Sequence, residues 1–192
     1  GARRGARGAV VRRAIGAGGG VLYLLPEVAP TEEIAAGFRE AYGRMAVVFH
    51  GRMTESEKEE AWRVLRSGRA ALVAGTRSAL FLETGPLRLV VVDEEQEESH
   101  FQAESPSYDA RRGAWLRART EGAVAVLSSS RPTVEAFDEA GRTGALVDLG
   151  GAAPRAGVTV VEYGRDVPLI SPALERKLRA GLGRGEPAIL FL

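Results

Sequence analysis

The sequence predicts an α/β fold in which a mainly parallel β-sheet is flanked by helices. The strongest signal is the run LRLVVV at residues 87–92, which is typical of a strand buried on both faces of a parallel sheet. Other short apolar runs alternate with helical patterns, and this alternation also favours a parallel sheet. Asp93 and Glu94 follow the run directly. Because ligands of open α/β sheets bind beyond the carboxyl ends of the strands, these two acids are candidates for holding a metal and polarising a water.

Length and composition fit one α/β domain with an appended piece. The chain has 192 residues, of which 45% are hydrophobic, and a net charge of +1, so it can bury a sizeable core. It contains no cysteine, which excludes disulfides and thiolate metal sites within this sequence. No apolar run approaches the roughly 20 residues of a membrane span, and no segment is typical of a cleaved signal. We therefore expect a cytoplasmic protein without membrane contact.

The other predicted strands follow from short apolar runs. They lie at residues 21–25, 45–49, 71–74 and 123–127, of which the last is expected to be buried, with 145–148 closing the sheet.

The predicted helices follow from capping residues and apolar periodicity. A turn and a helix are expected over residues 1–15. Thr31, Thr54 and Thr133 are the expected N-caps of helices that end near residues 42, 67 and 140. Another helix is predicted over 108–119, with Trp115 and Leu116 on its buried side. Ser171 and Pro172 open a further helix that ends near residue 181.

Three segments together resemble one protein family. They are GTRSALF at residues 75–81, DEEQ at 93–96 and SPSYDAR at 105–111. Their order and spacing are similar to those of the PriA family of replication-restart helicases in superfamily 2, and the likeness covers nearly the whole chain. The resemblance implies a RecA-like, P-loop NTPase-type first helicase lobe over residues 1–149. It also implies an interlobe linker over 150–157 and the truncated start of a second lobe over 158–192.

The resemblance places the ATPase machinery, and several of its residues depart from the family pattern. Residues 1–8 stand where the family has its phosphate loop, with Gly5, Arg7 and Gly8 as the nucleotide-binding candidates. Arg7 replaces the lysine that reaches the phosphates, and Gly8 replaces the hydroxyl residue that ligates magnesium. Asp93 would hold magnesium through water and Glu94 would position the attacking water. We interpret the loop as degenerate, although its arginines could still bind an anion.

Two further departures affect the coupling of hydrolysis to movement. Gln96 replaces a histidine that is expected to relay the nucleotide state to motif III, and SSSRPT at residues 128–133 replaces the family's GSATPS. Loss of selection on ATP hydrolysis explains these changes together with the altered phosphate loop.

The resemblance also assigns candidate DNA-binding residues. Thr31 belongs to motif Ia, although the prolines around it equally fit a plain strand-to-helix loop. The other candidates are in motif Ib and in a loop that senses DNA in the family: Gly75, Thr76, Arg77, Ser78, His100 and Phe101. The two aromatic rings could stack on a base, whereas the glutamates from Glu95 onwards repel phosphates. We therefore expect this loop to be weakened or repurposed.

Three functional hypotheses follow. The first is a non-hydrolysing restart factor that binds forked or single-stranded DNA and recruits replication-restart proteins, single-strand-binding proteins and the loading machinery of the replicative helicase in the nucleoid. It requires no cofactor in this segment, and zinc is expected only in parts of the family's chain outside it. The second is an active 3'-to-5' DNA helicase that uses ATP and magnesium. The third is a protein-interaction scaffold, because a charge of +1 is weak electrostatic support for DNA binding.

Overall fold

The computed structural model describes residues 2–26, 30–149 and 170–185. The chain divides into two compact units, Gly1–Gly150 and Gly151–Leu192. The predicted linker at 150–157 and residues 158–169 and 186–192 of the predicted second lobe lie outside the described residues. In the first unit, none of the described helices is long and apolar enough to cross a membrane, and the same holds for the described helix of the second.

The first unit is built on a five-stranded sheet in which every pairing is parallel. Its strands are β1 Gly20–Leu24, β2 Ala46–Phe49, β3 Leu72–Gly75, β4 Leu87–Asp93 and β7 Val124–Ser128. Their order across the sheet is β2-β3-β1-β4-β7. A separate antiparallel pair joins β5 Phe101–Gln102 to β6 Tyr108–Asp109. The predicted α/β class, with a parallel sheet flanked by helices, is confirmed.

Helices alternate with these strands. They are α1 Ala2–Gly16, α2 Pro30–Tyr42, α3 Glu55–Arg66, α4 Ala110–Glu121 and α5 Val134–Thr143, with short 3₁₀ helices at Gly43–Met45, Arg77–Phe81 and Glu98–His100. Thr54 caps α3 as predicted, because its hydroxyl accepts from the Glu57 amide at 3.3 Å while the Glu57 carboxylate accepts from the Thr54 amide at 2.8 Å. Thr133 caps α5 through the Ala136 amide at 3.3 Å. The side chain of Thr31 is outside the described set, so its capping role stays a prediction.

The second unit contributes one described helix, α6 Pro172–Gly183. Its N-cap is Ser171, whose hydroxyl accepts from the Leu174 amide at 3.1 Å. This confirms the helix start that Ser171 and Pro172 predict.

The core of the first unit lies on both faces of the sheet. Alternate residues of each central strand point to opposite faces, so Leu22 and Val90 join one apolar cluster while Val21 and Val91 join the other. Helices α3 and α4 cover the first face. Helices α1 and α2 cover the second. The central strands are therefore buried on both sides, as the run at 87–92 predicts.

The predicted end of the sheet is wrong. Strand β7 lies at one edge of the sheet that the structure describes, and Val124 and Leu127 are exposed rather than buried. Residues 145–148 form no strand and are exposed. A short apolar run predicts a strand, but its neighbours decide whether that strand is central or at an edge.

The predicted orientation of α4 is also wrong. Trp115 and Leu116 are exposed, and the helix instead buries Ala110, Ala114 and Ala118. Small side chains let a helix approach a sheet closely, so the size of a residue alone does not identify the inner face of this helix.

Candidate functional site

Asp93 is the last residue of β4 and lies at the carboxyl edge of the sheet, where it is 1% exposed. The Arg7 guanidinium forms an ion pair with its Oδ1 atom. The Glu94 amide donates to Oδ1 at 3.0 Å, and the Tyr23 hydroxyl donates to Oδ2 at 2.9 Å. Each oxygen of this buried carboxylate therefore accepts hydrogen bonds from protein donors, which is the usual requirement for burying a charge.

Tyr23 takes part in this arrangement as a neutral donor. Burial is the main reason that the pKa of Tyr23 is raised to about 12, with Arg7 opposing the increase and Glu94 adding to it. The phenol therefore keeps its proton at physiological pH and can donate it to Asp93. Sequence reasoning missed this residue, whose only signal is a polar atom within an apolar strand.

The segment interpreted as a degenerate phosphate loop is not a loop. Residues 2–16 form helix α1, so the amides of Arg7 and Gly8 are bonded within the helix and cannot cradle a phosphate. Gly5 is exposed, and a Cβ atom there would meet open space. The Arg7 side chain reaches Asp93 instead, which joins α1 to β4.

The residues around Asp93 do not fit a magnesium nucleotide. A magnesium ion held through water would compete with the Arg7 guanidinium for the same carboxylate. Gly8 offers no hydroxyl for the metal, and the helical amides offer no phosphate cradle. The positive charge beside Asp93 is supplied by the protein itself.

Glu94 and Gln96 connect the end of β4 to the loop that follows β7. Glu94 has φ of +45°, in the left-handed region that non-glycine residues rarely adopt. The Gln96 amide donates to the carboxylates of Glu94 at 3.1 Å and Glu97 at 3.2 Å. The Ser129 hydroxyl donates to Gln96 Oε1. The residue that replaces the family's relay histidine therefore contacts the segment that replaces motif III.

Glu95 makes the second connection between these segments, whereas sequence reasoning considered it only as one of the glutamates that repel phosphates. Its carboxylate is buried and accepts from the Thr133 amide at 2.6 Å and the Thr133 hydroxyl at 3.1 Å. The Glu95 amide donates to the Ser128 carbonyl at 3.0 Å. Glu95 thus holds the start of α5 against the end of β4. Two sequence features could have indicated this contact. Glu95 is the third acid in the run that starts at Asp93, and Thr133 is a predicted N-cap.

Arg111 joins α4 to the same strand end. Its guanidinium pairs with Asp109 at 2.7 Å and donates to the Glu95 carbonyl at 3.1 Å. The hydrogen bonds with Asp109 raise the pKa of Arg111. Burial alone would raise the pKa of Asp109, but the hydrogen bonds from Arg111 outweigh that effect and lower it. Both groups are therefore charged at neutral pH.

The motif Ib candidates lie at the carboxyl end of β3. A Cβ atom on Gly75 would lie 2.0 Å from the Phe49 carbonyl oxygen, so only glycine fits there. Thr76 is buried, with its hydroxyl 3.5 Å from that of Ser78. Arg77 donates to Gln102 Oε1 at 2.8 Å and to the Ser99 carbonyl at 3.1 Å. Arg77 therefore binds the loop that contains the aromatic candidates, while DNA contact by these residues stays a prediction.

The two aromatic candidates have opposite environments. His100 is fully buried, with Nε2 2.9 Å from the Asp93 carbonyl oxygen. Its Nδ1 atom has no hydrogen-bond partner within the described residues. The prediction that His100 stacks on a base is therefore wrong. Phe101 is 48% exposed and is accessible for stacking.

Acidification is expected to destabilise the protein through His100. Burial, followed by the charge of Arg111, lowers the pKa of His100 below 6.5, and these effects outweigh the carboxylates of Asp109 and Glu95. The folded state thus favours the neutral ring, so its contribution is complete above pH 6.5 and is lost as pH falls below it. Urea unfolding should show that the free energy of unfolding falls as the pH is lowered below 6.5.

The matched variants are His100→Gln, which can still donate to the Asp93 carbonyl, and His50→Gln at the other histidine. The first should flatten the pH profile and the second should leave it unchanged. An unchanged profile in His100→Gln would contradict the assignment.

Sequence comparison finds relatives among the replication restart proteins. No protein-family model matches the chain. Replication restart protein PriA of Treponema pallidum is 34% identical over 182 residues, covering 91% of this chain and 27% of the relative. The protein of the same name from Bacillus subtilis is 28% identical over 193 residues, covering 95% and 24%. That from Synechocystis is 36% identical over 124 residues, covering 64% and 15%. The chain spans about a quarter of the length of the first two.

Among solved structures, the C-terminal domain of the DEAD-box protein Dbp5 aligns with a TM-score of 0.39 at 14% sequence identity. The alignment covers 67% of this chain and 72% of that domain.

Proposed function

We propose that this chain belongs to a PriA-like protein that binds forked DNA without hydrolysing ATP. The basis is that the chain is a relative of the PriA replication restart proteins and matches a segment of them. The observation that carries the proposal is the engagement of Asp93 by Arg7 and Tyr23. In this role the lobe is a scaffold. The proposed partners are restart proteins, single-strand-binding proteins and the loading machinery of the replicative helicase, in the nucleoid.

The loss of ATP hydrolysis is supported by the charge balance at Asp93. A nucleotide hydrolase needs an acid at this position that can hold a metal and its water. Here a guanidinium neutralises that acid, and both partners are largely buried, with side chains 16% and 2% exposed. Releasing Asp93 for a metal would leave the largely buried Arg7 guanidinium without its partner, and the cost of that unpaired charge opposes the exchange.

DNA binding is supported by the position of the motif Ib segment. Residues 75–78 begin with the last residue of β3 and lie at the carboxyl edge, where open α/β sheets bind ligands. Arg77 is used to hold the loop at residues 99–102, so it stabilises this edge from within. Backbone amides and exposed Phe101 are then the groups proposed to meet the nucleic acid.

The decisive experiment measures ATP turnover by the full-length protein, with and without forked DNA, alongside fork affinity with and without ATP. We expect no turnover above background and a fork affinity that ATP does not change. Asp93→Asn is the control, and it should leave both results as they are.

Other outcomes separate the competing functions. Fork-stimulated turnover that Asp93→Asn abolishes would overturn the proposal and establish an ATP-driven helicase, whose retained acid pair Asp93 and Glu94 is the feature in its favour. No fork binding at low salt would leave a protein-interaction scaffold.

A further inference from the structure

Helix α4 presents its large apolar side chains to solvent. Its inner face consists of alanines and Gly113, where a Cβ atom would lie 2.4 Å from Leu80 Cδ2. The helix therefore lies too close to its neighbours for a large side chain on that face. Trp115 and Leu116 are on the outer face, 53% and 60% exposed. These two adjacent side chains leave apolar surface available to a ligand.

Arginines flank this apolar pair on the same face. Arg112 and Arg119 are exposed and lie one helical turn before Trp115 and one turn after it. The Arg119 guanidinium lies 5.4 Å from the centre of the Trp115 ring. We name this surface, Arg112, Trp115, Leu116 and Arg119, the α4 stripe.

The α4 stripe carries positive charge that its own helix does not balance. The other arginines of α4 are compensated, since Arg111 pairs with Asp109 and Arg117 pairs with Glu121. Glu121 is the single acid within α4. The charges of Arg112 and Arg119 therefore favour an anionic ligand.

We propose that the α4 stripe binds single-stranded nucleic acid. Trp115 stacks on a base, Leu116 extends the apolar surface, and Arg112 and Arg119 contact phosphates on either side. Their seven-residue separation places the two arginine Cα atoms about 10 Å apart along the helix. Aromatic side chains between cationic groups are the common means of holding single strands without sequence preference.

The stripe continues the carboxyl edge of the sheet. Helix α4 starts there, where Arg111 reaches the Glu95 carbonyl, and ends before β7 begins at the opposite edge. A single strand of nucleic acid that leaves the carboxyl edge of the sheet can therefore follow the outer face of α4. The inference rests on the proposed function only in sharing DNA as the ligand, because it uses a separate set of residues.

Helix α3 offers an internal comparison. Arg66 lies 6.0 Å from the ring centre of Trp62, so this helix also carries an arginine beside a tryptophan. It also carries four acids, Glu55, Glu57, Glu59 and Glu60. These acids repel phosphates, so the α3 pair should not bind DNA.

The test titrates fluorescent oligo(dT) with the full-length protein over a range of salt concentrations. Trp115→Ala should weaken binding roughly tenfold, because stacking on one base is lost. The double variant R112A/R119A should reduce the slope of log affinity against log salt by about 0.7 per arginine. Arg66→Ala is the matched control and should bind like the wild type. Melting temperatures should be unchanged, because the altered side chains are exposed.

Each remaining outcome overturns the inference in a distinct way. Fork and oligo(dT) binding that the stripe variants leave intact would exclude the α4 stripe but not the proposed function. A melting temperature lowered by Trp115→Ala would show that polypeptide, rather than DNA, covers this face. Failure of the wild-type protein to bind either DNA would exclude both proposals.

Discussion

Replacing Arg7 by methionine is expected to lower the free energy of unfolding by about 3 kcal/mol. The substitution keeps much of the side-chain length but removes the guanidinium that neutralises Asp93. That carboxylate is 2% exposed and would remain buried with donors only from Tyr23 and the Glu94 amide. An unpaired buried charge costs far more than a lost surface ion pair. Urea and thermal unfolding of the purified protein would measure the loss.

Adding a second substitution separates the stability lost through the unpaired charge from the stability lost through changed side-chain packing. In R7M/D93N the buried charge is removed, and the Tyr23 hydroxyl can still donate to the new amide oxygen. The double variant should therefore be more stable than Arg7→Met alone. Arg12→Met, at an exposed position of the same helix, is the control and should change stability by less than about 0.5 kcal/mol. Equal losses from Arg7→Met and Arg12→Met would contradict the ion pair.

Truncating Glu95 to alanine is expected to cost about 2 kcal/mol and to loosen the start of α5. The substitution removes the carboxylate that accepts from both the amide and the hydroxyl of Thr133. Helix α5 buries none of its residues, so this contact supplies much of what holds it to the sheet. Amide hydrogen exchange over Val134–Thr143 should accelerate more than exchange in the central strands.

Glutamine at position 95 should be tolerated much better than alanine. Its amide oxygen can accept from the Thr133 amide, and its NH₂ group can donate to the Thr133 hydroxyl. Glu98→Ala, at the exposed start of the 3₁₀ helix that follows, should have little effect. If Glu95→Gln and Glu95→Ala accelerate exchange in α5 equally, the hydrogen bonds to Thr133 do not hold the helix.

These two contacts bear on the proposed function. Arg7 fixes α1 to the end of β4, and Glu95 fixes α5 to the same strand end. In a motor, nucleotide binding makes and breaks such connections. Here side chains of the chain itself make them, which supports the proposed scaffold role.

The local patterns of the sequence determined most of the fold. Continuous apolar runs identified the five paired strands to within one or two residues. For the central strands the reason is that burial on both faces leaves no place for polar side chains. The hydroxyl side chains of Thr54, Thr133 and Ser171 located helix starts, because an N-cap is a contact between residues three positions apart. The placement of Asp93 at the carboxyl edge followed from the strand that precedes it.

Only the tertiary structure decided which side chains meet across the sheet. Arg7 and Asp93 are 86 positions apart, and no local pattern links them. The same holds for Glu95 and Thr133, and for the burial of His100 beneath Asp93. The outward orientation of Trp115 depends on how closely α4 approaches Leu80. The periodicity of a sequence shows which side chains share one face of a helix or strand. Which other element packs against that face, and how closely, is set by packing between elements far apart in the chain.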